Sequence, residues 1–265
     1  MGLERPVVGI VGGTGRMGTW FADLLEGHGL HVVRTGRSTK TTPRQMASLC
    51  DVVVISVPVA ETTKVIRDIG PLVKEDGLLM DLTSVKKGPV EAMLNHSRAQ
   101  VVGVHPLFGP ETGSAPDMKI AICPARGQEG LEWISAVFRN SGYGVICLEA
   151  EVHDRMMGVI QGVTHFSSLV LALFIHSSDF EIDDLVSCST PTFKHRLDRI
   201  RSILDQPPGL FSSLMMDNPY AGASIEKYLD SCEHLIRIIR ARNRSAFDEL
   251  FESLEHFFSK EVFRP

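Results

Sequence analysis

The 265-residue sequence predicts an α/β fold, in which a doubly wound parallel sheet is followed by an all-helical second domain. In residues 1–149, short apolar runs rich in β-branched residues alternate with stretches of helical periodicity, which is the pattern of a mainly parallel sheet. In residues 150–265, apolar residues recur only at helical spacing. We therefore expect a sheet domain over 1–149 and a helical domain over 150–265.

The first predicted strand leads into a glycine-rich turn. Gly13, Gly15 and Gly18 have the spacing G-x-G-x-x-G, between an apolar run and a helix that starts at Met17. In this setting the first glycine permits a tight turn, the second lets backbone approach a pyrophosphate, and the third lets helix and strand pack closely. The free N–H groups of the helix start attract phosphate. The motif predicts a Rossmann-type dinucleotide site, with an ordinary glycine-rich turn as the alternative. The predicted cofactor-binding residues of this turn are Gly13, Thr14, Gly15, Arg16, Met17 and Gly18.

The other elements follow from the same two periodicities. Apolar runs bounded by turn residues indicate buried strands, and spaced apolar residues indicate helices. We predict strands at 7–11, 30–33, 51–58, 78–82, 101–104, 120–123 and 143–148, with helices from residue 17, at 60–69 and at 131–141. In the second domain we predict helices at 152–175, 185–204, 210–216, 224–242 and 245–263.

The tip of the second strand bears on the choice of cofactor. In NAD-binding folds an acidic residue about 20 positions past the glycines binds the ribose 2′-OH. Residues 34–40, RTGRSTK, contain no acid, whereas Arg37 and Ser38 are suited to a 2′-phosphate. We therefore expect NADP or NAD as cofactor, with NADP favoured; the alternative is a solvated basic loop.

Composition argues against several other classes of function. The net charge of −5 gives no reason to expect a nucleic-acid partner. Five scattered cysteines, never spaced C-x-x-C, are typical of a reducing cytoplasm and offer neither a disulfide framework nor a zinc site. The charged N-terminus is unlike a signal peptide, and no apolar run is long enough to span a membrane. We expect a cytoplasmic protein with no nucleic-acid or membrane partner.

Two loops that follow predicted strands carry reactive groups. Ligands of open α/β sheets bind at the carboxyl ends of the strands. His105, just past a strand and held by the following proline, is suited to take a proton beside a nicotinamide, because the ordinary pKa of histidine lies near neutrality. Ser84 is suited to hydrogen-bond this imidazole or a substrate hydroxyl. The alternative is that His105 is an ordinary loop histidine.

Four segments of the sequence carry a resemblance to a known family. They are GGTGRMG, DLTSVKKGPVEAM, GVHPLFGPETGS and HDRMMGVIQGVTHF. In this order and spacing they resemble the prephenate dehydrogenase family of tyrosine biosynthesis, which includes the arogenate and cyclohexadienyl dehydrogenases. The resemblance covers nearly the whole chain and is closest to the short, single-function forms.

The resemblance implies an NAD(P)-dependent oxidative decarboxylation of prephenate to 4-hydroxyphenylpyruvate. In this family a histidine of the HP segment hydrogen-bonds the 4-hydroxyl of prephenate and assists its deprotonation, which implies that role for His105. The serine of the SVK segment, Ser84 here, assists the histidine and contacts substrate. Lys86 matches the lysine of the same segment, and we expect it to be a third catalytic residue. Hydride passes to the nicotinamide and the ring carboxylate leaves as CO2. The reaction is expected to need no metal, because the substrate hydroxyl is the acid and the histidine is the base.

The fourth segment implies a substrate pocket on the helix that links the two domains. Gln161 and His165 are four residues apart and therefore share a helix face. The resemblance places both of them, together with His153, at the substrate. The alternatives are that Asp154 is an ordinary acid of the first helical turn and that His165 is a core histidine.

The sequence departs from the family at one position. The family has an arginine in the following helix that binds a substrate carboxylate, and alignment from the neighbouring prolines puts Ser202 there. A small shift of register restores the match with Arg201, which we favour, or with Arg199. Because an unpaired buried carboxylate is costly, the absence of both from the site would favour a substrate other than prephenate, such as an amino-substituted analogue.

The resemblance also implies a homodimer formed through the helical domain. Apolar positions of the last two predicted helices are consistent with that, although they would suit an ordinary core equally well. Because the sequence ends at Pro265, we expect neither the chorismate mutase domain nor the regulatory ACT domain that some relatives carry.

Three alternative functions stay open at this point. Prephenate and arogenate differ by one keto group against one amine, which the sequence does not distinguish. A β-hydroxy acid dehydrogenase also joins a sheet domain to helices, but relies on a lysine of the helical domain as acid and base. A nicotinamide-binding sensor without catalysis would not need both Ser84 and His105.

Overall fold

The computed structural model describes residues 5–109 and 118–261, with side chains through residue 259. Residues 110–114 of the third family-like segment lie outside the described residues. The strands are β1 Val8–Val11, β2 Val32–Thr35, β3 Val52–Ile55, β4 Leu78–Asp81, β5 Gln100–Pro106, β6 Lys119–Arg126 and β7 Gly144–Cys147. The helices are α1 Arg16–Gly27, α2 Pro43–Leu49, α3 Val59–Ile69, α4 Lys87–His96, α5 Gln128–Asn140, α6 Ala150–Met157, α7 Thr164–His176, α8 Ile182–Ser187, α9 Pro191–Leu204, α10 Pro208–Met216, α11 Ala221–Arg240 and α12 Arg244–Glu261.

The seven strands form one sheet in the order β2-β1-β3-β4-β5-β6-β7. Neighbouring strands are parallel except β5 and β6, where His105 lies opposite Ala121. The chain order changes direction at β1, which has β2 on one side and β3 on the other, and this leaves a crevice at the carboxyl ends of β1 and β3. The predicted α/β fold, with its mainly parallel sheet and helical second half, is confirmed.

Helices cover both faces of the sheet. One face packs on α1 and α5 through side chains such as Phe21 and Phe138, and the other packs on α2, α3 and α4 through side chains such as Ile66 and Met93. Because both faces are covered, every residue of β1, β3 and β4 is buried. This double burial explains why the sequences of these strands are almost unbroken apolar runs.

Several elements differ from the prediction. Helices α2 and α4 are absent from the predicted elements, because each has only a few spaced apolar residues. The helix predicted at 185–204 is two helices, since Pro191 starts α9 and Thr190 caps it by accepting a hydrogen bond from the Phe193 N–H. Strand β5 runs to Pro106 because β6 pairs with it that far, so His105 lies inside the strand and not just past it.

One long helical stretch follows the sheet. Helix α6, a π-helical turn at Gly158–Val163 and α7 run continuously over Ala150–His176. In the part of the chain that the structure describes, this stretch is long and apolar enough, by length and composition only, to cross a membrane. The expectation that no apolar segment is long enough to span a membrane is wrong. It was based on unbroken apolar runs, whereas a helix can contain isolated polar residues and still be long and apolar enough. Helices that pack in a protein core or interface meet the same criterion.

The second half of the chain has a small core and much exposed apolar surface. Ile203, Phe211 and Leu214 are buried together against Leu169 and Met215. Many large apolar side chains of α7, α11 and α12 are exposed instead, namely Val170, Leu173, Phe174, Leu229, Leu235, Ile236, Ile239, Phe247, Phe251, Leu254, Phe257 and Phe258. Exposed apolar surface of this extent is typical of helices that bury it against a partner.

Candidate active site

The glycine-rich turn between β1 and α1 leaves no room for side chains. Gly12 has a φ of 78°, in the left-handed region, and a Cβ there would lie 2.3 Å from the carbonyl oxygen of Ser56. A Cβ on Gly18 would lie 2.3 Å from the carbonyl oxygen of Gly12. The tight turn is therefore made by Gly12 and not, as predicted, by Gly13, because the chain turns one residue earlier.

The start of α1 opens onto a cleft at the carboxyl end of the sheet. Its N-cap residue is Gly15, which has no side chain to occupy the first free N–H groups of the helix. The cleft, of about 560 Å³, is lined by Thr14 and Gly15 of the glycine-rich turn and by Arg37 and Ser38 of the loop after β2. Free N–H groups, the positive end of the helix dipole and the missing side-chain bulk fit the pyrophosphate of a dinucleotide.

The remaining predicted cofactor residues do not line this cleft themselves. Arg16 lines two hollows beside it, one of them shared with α9. Gly13 and Gly18 are buried in the turn and Met17 is half-buried, so these three shape the loop.

The loop after β2 presents its basic side chain to the cleft. Arg37 and Ser38 are both exposed there. Arg34, in contrast, forms ion pairs with Asp23 and Glu26, each at 2.7 Å. Arg37 is therefore the arginine of this segment that the structure places at the cleft.

His105 is buried near the end of β5, with 3% of its surface exposed. Its Nδ1 lies 2.9 Å from Nε2 of His153, and its Nε2 lies 3.5 Å from the amide nitrogen of Gln161. Burial, and to a lesser degree the nearby His153 ring and the Lys86 ammonium group, hold the pKa of His105 well below its usual value. The imidazole is therefore neutral at neutral pH and able to accept a proton.

Asp154 links this histidine pair by hydrogen bonds to the point where the loop after β4 enters α4. Its Oδ1 accepts hydrogen bonds from Nδ1 of His153 and the backbone N–H of Lys86, both at 2.7 Å, and its Oδ2 accepts one from the backbone N–H of Lys87 at 2.9 Å. The side-chain amide of Asn218 donates to the backbone carbonyl of Asp154 at 2.9 Å. Asp154 is thus not an ordinary acid of the first helical turn.

Asp154 and Asn218 are not among the predicted site residues. The available sequence signal for Asp154 was its position next to His153. The structure buries both of these polar residues in one helix. No feature of the sequence marks Asn218.

Lys86 does not reach the cleft. Its side chain is fully buried, and its ammonium group pairs with the carboxylate of Asp81 and donates to the carbonyl oxygen of Val104 at 2.7 Å. The structure therefore does not bring this amine to the substrate side of His105. Ser84 is half-buried, and among the described residues no hydrogen bond joins it to His105.

Buried polar atoms without a partner lie on Gln161, which is next to His105, and on His165, four residues further along the chain. The π-helical turn carries Gln161 toward His105, and π-helical turns occur often at functional sites. Oε1 of Gln161 and Nδ1 of His165 are buried and have no hydrogen-bond partner among the described residues. Because buried polar atoms are normally paired, these two point to a ligand.

The two predicted arginines, Arg199 and Arg201, lie on α9, and both are exposed. Burial, together with the charge of Arg199, lowers the pKa of His165, which places Arg199 near that histidine. Arg201 lines a hollow shared with Arg16 and lies 3.8 Å from Asp205. Arg199 is therefore the arginine whose charge acts on the unpartnered histidine, whereas Arg201 lines the hollow that it shares with Arg16 of the glycine-rich turn.

Two protein-family models match the chain. The nucleotide-binding domain of prephenate dehydrogenase matches residues 25–142, and its dimerization domain matches residues 149–256. A probable arogenate/prephenate dehydrogenase of Methanocaldococcus jannaschii is 30% identical over 96% of this chain. The T-protein of Enterobacter agglomerans is 31% identical over the same share. The chain spans 61% and 68% of the lengths of these two relatives.

Solved structures share the fold across the whole chain. Prephenate dehydrogenase from A. aeolicus, in complex with hydroxyphenyl propionate and NAD+, superposes with a TM-score of 0.73 at 22% identity and covers 99% of both chains. Synechocystis arogenate dehydrogenase gives a TM-score of 0.73 at 16% identity, covering 97% of this chain and all of its own. Since the two family models together match most of the sequence, the chain belongs to the prephenate dehydrogenase family.

Proposed function

We propose that this protein is an NAD(P)-dependent dehydrogenase that decarboxylates and aromatises prephenate or its amino counterpart arogenate. One observation carries the proposal: Nε2 of the buried His105 lies 3.5 Å from the side-chain amide of Gln161, and Oε1 of Gln161 and Nδ1 of His165, four residues further on, are buried without a hydrogen-bond partner among the described residues. A hydroxyl-bearing, anionic substrate would satisfy these atoms. The names of the relatives support the same substrate class.

The residues of the site have distinct roles in the proposed reaction. His105, kept neutral by burial, accepts the proton of the substrate 4-hydroxyl at the ring nitrogen that faces Gln161. The nicotinamide, when bound, supplies the acceptor for the hydride of ring C4. Ser84 is half-buried in the loop after β4 and contacts the same hydroxyl. Gln161 and His165 hold the substrate, and His153 contacts His105 rather than substrate.

A substrate carboxylate needs a cation, and we assign this role to Arg199. Support comes from the influence of its charge on the pKa of His165, a histidine whose Nδ1 has no hydrogen-bond partner among the described residues. Arg201 is the alternative, because it faces the glycine-rich turn across the hollow that it shares with Arg16. This order reverses the preference drawn from sequence alignment.

For the cofactor we propose NADP at least as readily as NAD. Support comes from Arg37 and Ser38, which line the same cleft as Thr14 and Gly15 of the glycine-rich turn. An arginine fork matches the oxygens of a 2′-phosphate. Because Arg37 is exposed, the preference is modest.

We further propose a homodimer formed by the helical half, with a dinucleotide-binding domain at 1–149 and a substrate and dimerisation domain at 150–265. The end of β7 at Cys147 and the start of α6 at Ala150 support this division. The exposed apolar side chains of α7, α11 and α12 supply a surface for the partner. The free cysteines among the described residues support the further proposal that the protein is cytoplasmic.

Steady-state kinetics with prephenate and arogenate, each with NAD and with NADP, test the proposal. We expect turnover of at least one substrate with both cofactors. No turnover in any of the four combinations would contradict the proposed activity and leave a non-catalytic nicotinamide sensor. Turnover of a β-hydroxy acid would support the other enzyme class. That class would need a lysine of the helical domain as acid and base. The lysines of this domain with described side chains are Lys194 and Lys227, and both are exposed, which argues against it.

A further inference from the structure

Asp154 is held as a buried hydrogen-bond acceptor. It is fully buried, and an ionised carboxylate has only acceptor atoms. Three N–H groups point at it: those of the Lys86 and Lys87 backbone, at the start of α4, and Nδ1 of His153. The positive end of the α4 dipole adds to this stabilisation. Nδ1 of His153 therefore carries a hydrogen.

The hydrogen on His153 decides where the hydrogen of His105 sits. A neutral imidazole has one N–H, so His153 with its hydrogen on Nδ1 offers Nε2 as an acceptor. The partner of that Nε2 is Nδ1 of His105, at 2.9 Å. Nδ1 of His105 is then the donor, and its Nε2 is left without hydrogen. The amide nitrogen of Gln161, a donor, faces this same Nε2.

We propose that His153 and Asp154 are positioning residues that fix the tautomer of His105. Through them the backbone of the β4–α4 loop sets which nitrogen of the base is free to take a proton. The inference rests on the proposed dehydrogenase function for its catalytic meaning, but the hydrogen-bond order is a property of the protein alone.

The relay also accommodates the charge that the reaction creates. When the substrate O–H bond breaks, its proton forms a new N–H bond at Nε2 of His105, and the electron pair stays on the substrate oxygen. The resulting imidazolium keeps its Nδ1–H bonded to His153 and lies one ring away from the Asp154 carboxylate. A buried cation without such an anion nearby would be costly.

The first test is spectroscopic and needs no variant. Long-range ¹H–¹⁵N spectra of the full-length protein labelled with ¹⁵N-histidine, without substrate, report which nitrogen of each ring bears hydrogen. The His105 signals are identified by their loss in His105→Asn. We expect His105 as the Nδ1–H tautomer at neutral pH. An Nε2–H tautomer, or a doubly protonated ring, would overturn the proposal.

The second test uses two substitutions of His153. His153→Leu removes the acceptor for Nδ1 of His105, so kcat should fall by about 10²–10⁴-fold with little change in KM. His153→Gln places an amide oxygen within reach of the same nitrogen and should restore much of kcat and the Nδ1–H tautomer. Equal losses in both variants, or a normal kcat in His153→Leu, would contradict a positioning role.

The two tests separate this inference from the proposed function. If the parent protein turns over neither prephenate nor arogenate, the proposed activity fails, while the His105 tautomer still decides whether the relay exists. If the variants do not fold, the spectrum of the parent protein alone confirms or overturns the relay.

Discussion

At the scale of single residues, burial decides the chemical state of His105. A histidine in water is partly protonated near neutrality, whereas this ring is almost entirely out of solvent. Removal from water disfavours the charged form, and the pKa of His105 therefore lies well below its usual value. The group is a proton acceptor at any pH near 7, which a hydroxyl-deprotonating base requires.

Arg199 provides a prediction at this scale. Arg199→Ala should raise KM for prephenate or arogenate about tenfold, because a charge-assisted contact with the substrate carboxylate is lost. Cofactor affinity should stay unchanged. Steady-state kinetics beside a cofactor titration provide the measurement.

Matched variants on the same helix make this prediction specific. Arg196→Ala removes an exposed charge whose influence is on Tyr228, and it should leave KM unchanged. A raised KM in Arg201→Ala with a normal KM in Arg199→Ala would show that Arg201 binds the carboxylate. Normal values in both would show that the cation comes from elsewhere.

Individual residues were predictable from sequence where their neighbours are local. Gln161 and His165 are one helical turn apart, and their shared face follows from spacing. The contact between Asp154 and the Lys86 N–H joins positions 68 residues apart and leaves no local signal. For the same reason the burial of the Lys86 side chain could not be read from the SVK segment, where the lysine looks available for chemistry.

At the scale of elements, a buried ion pair fixes the loop that follows β4. Asp81 ends the strand, and its carboxylate pairs with the Lys86 ammonium in a site with no exposure to solvent. Ser84 lies between the two paired residues. The pair therefore shapes the loop that carries the proposed substrate-contacting serine and the backbone N–H groups that hold Asp154.

Lys86→Met should strongly lower the free energy of unfolding of the protein. The substitution strands the Asp81 charge in the interior, and removal of one partner of a buried pair costs about 3–5 kcal/mol. Equilibrium unfolding in urea measures the loss in free energy of unfolding.

The neighbouring lysine provides the control for this prediction. Lys87→Met removes a partly exposed amine that pairs with Glu151 near the surface, and its effect on stability should be much smaller. Similar losses in free energy of unfolding in the two variants would contradict a larger contribution of the buried Lys86–Asp81 pair to stability.

The loop after β2 yields a prediction on cofactor choice. Arg37→Glu should shift the ratio of kcat/KM for NADP and NAD toward NAD by about tenfold, because an attractive contact with a 2′-phosphate becomes repulsive. Ratios of kcat/KM at fixed substrate concentration provide the measurement.

Arg44→Glu gives the same change of net charge from a position whose side chain pairs with Asp68. It should leave the cofactor ratio unaltered. A strong preference of the parent protein for NAD, or an unchanged ratio in Arg37→Glu, would refute a role for Arg37 in cofactor choice.

Most elements followed from periodicity, and the exceptions have physical causes. The buried strands of the sheet are readable because cover on both faces demands apolar residues throughout. The end of β5 is not readable from the sequence, because its last residues are ordered by pairing with β6, which begins only at Lys119. The split between α8 and α9 follows from Pro191, which starts a helix and cannot continue one.

At the scale of the whole molecule, the exposed apolar surface of the helical half is not explained by packing within a single chain. The helical half buries a small core and exposes large side chains along α7, α11 and α12. Sequence periodicity shows that such helices are amphipathic, but it does not distinguish burial in a core from burial against a partner. The structure supplies that distinction through exposure.

A dimer should therefore be the species in solution. Sedimentation velocity at micromolar concentration should give twice the chain mass for the parent protein. Phe251→Glu puts a charge on a side chain that is 63% exposed on α12, and it should raise the dimer dissociation constant at least about tenfold.

Leu49→Glu is the matched control for the dimer prediction. Leu49 is 70% exposed on the opposite, sheet-containing half of the chain, so its substitution should not alter the mass in solution. A parent protein that sediments as a monomer would contradict the assignment of these helices to an interface.

The proposed chemistry depends most directly on His105 as the base, and kcat of His105→Asn tests it. We expect kcat with prephenate or arogenate to fall by about 10²–10⁴-fold while the cofactor dissociation constant stays at the parent value. His31→Asn, which changes an exposed histidine before β2, should behave as the parent protein. A near-normal kcat in His105→Asn would contradict the proposed mechanism and remove the buried histidine from the reaction.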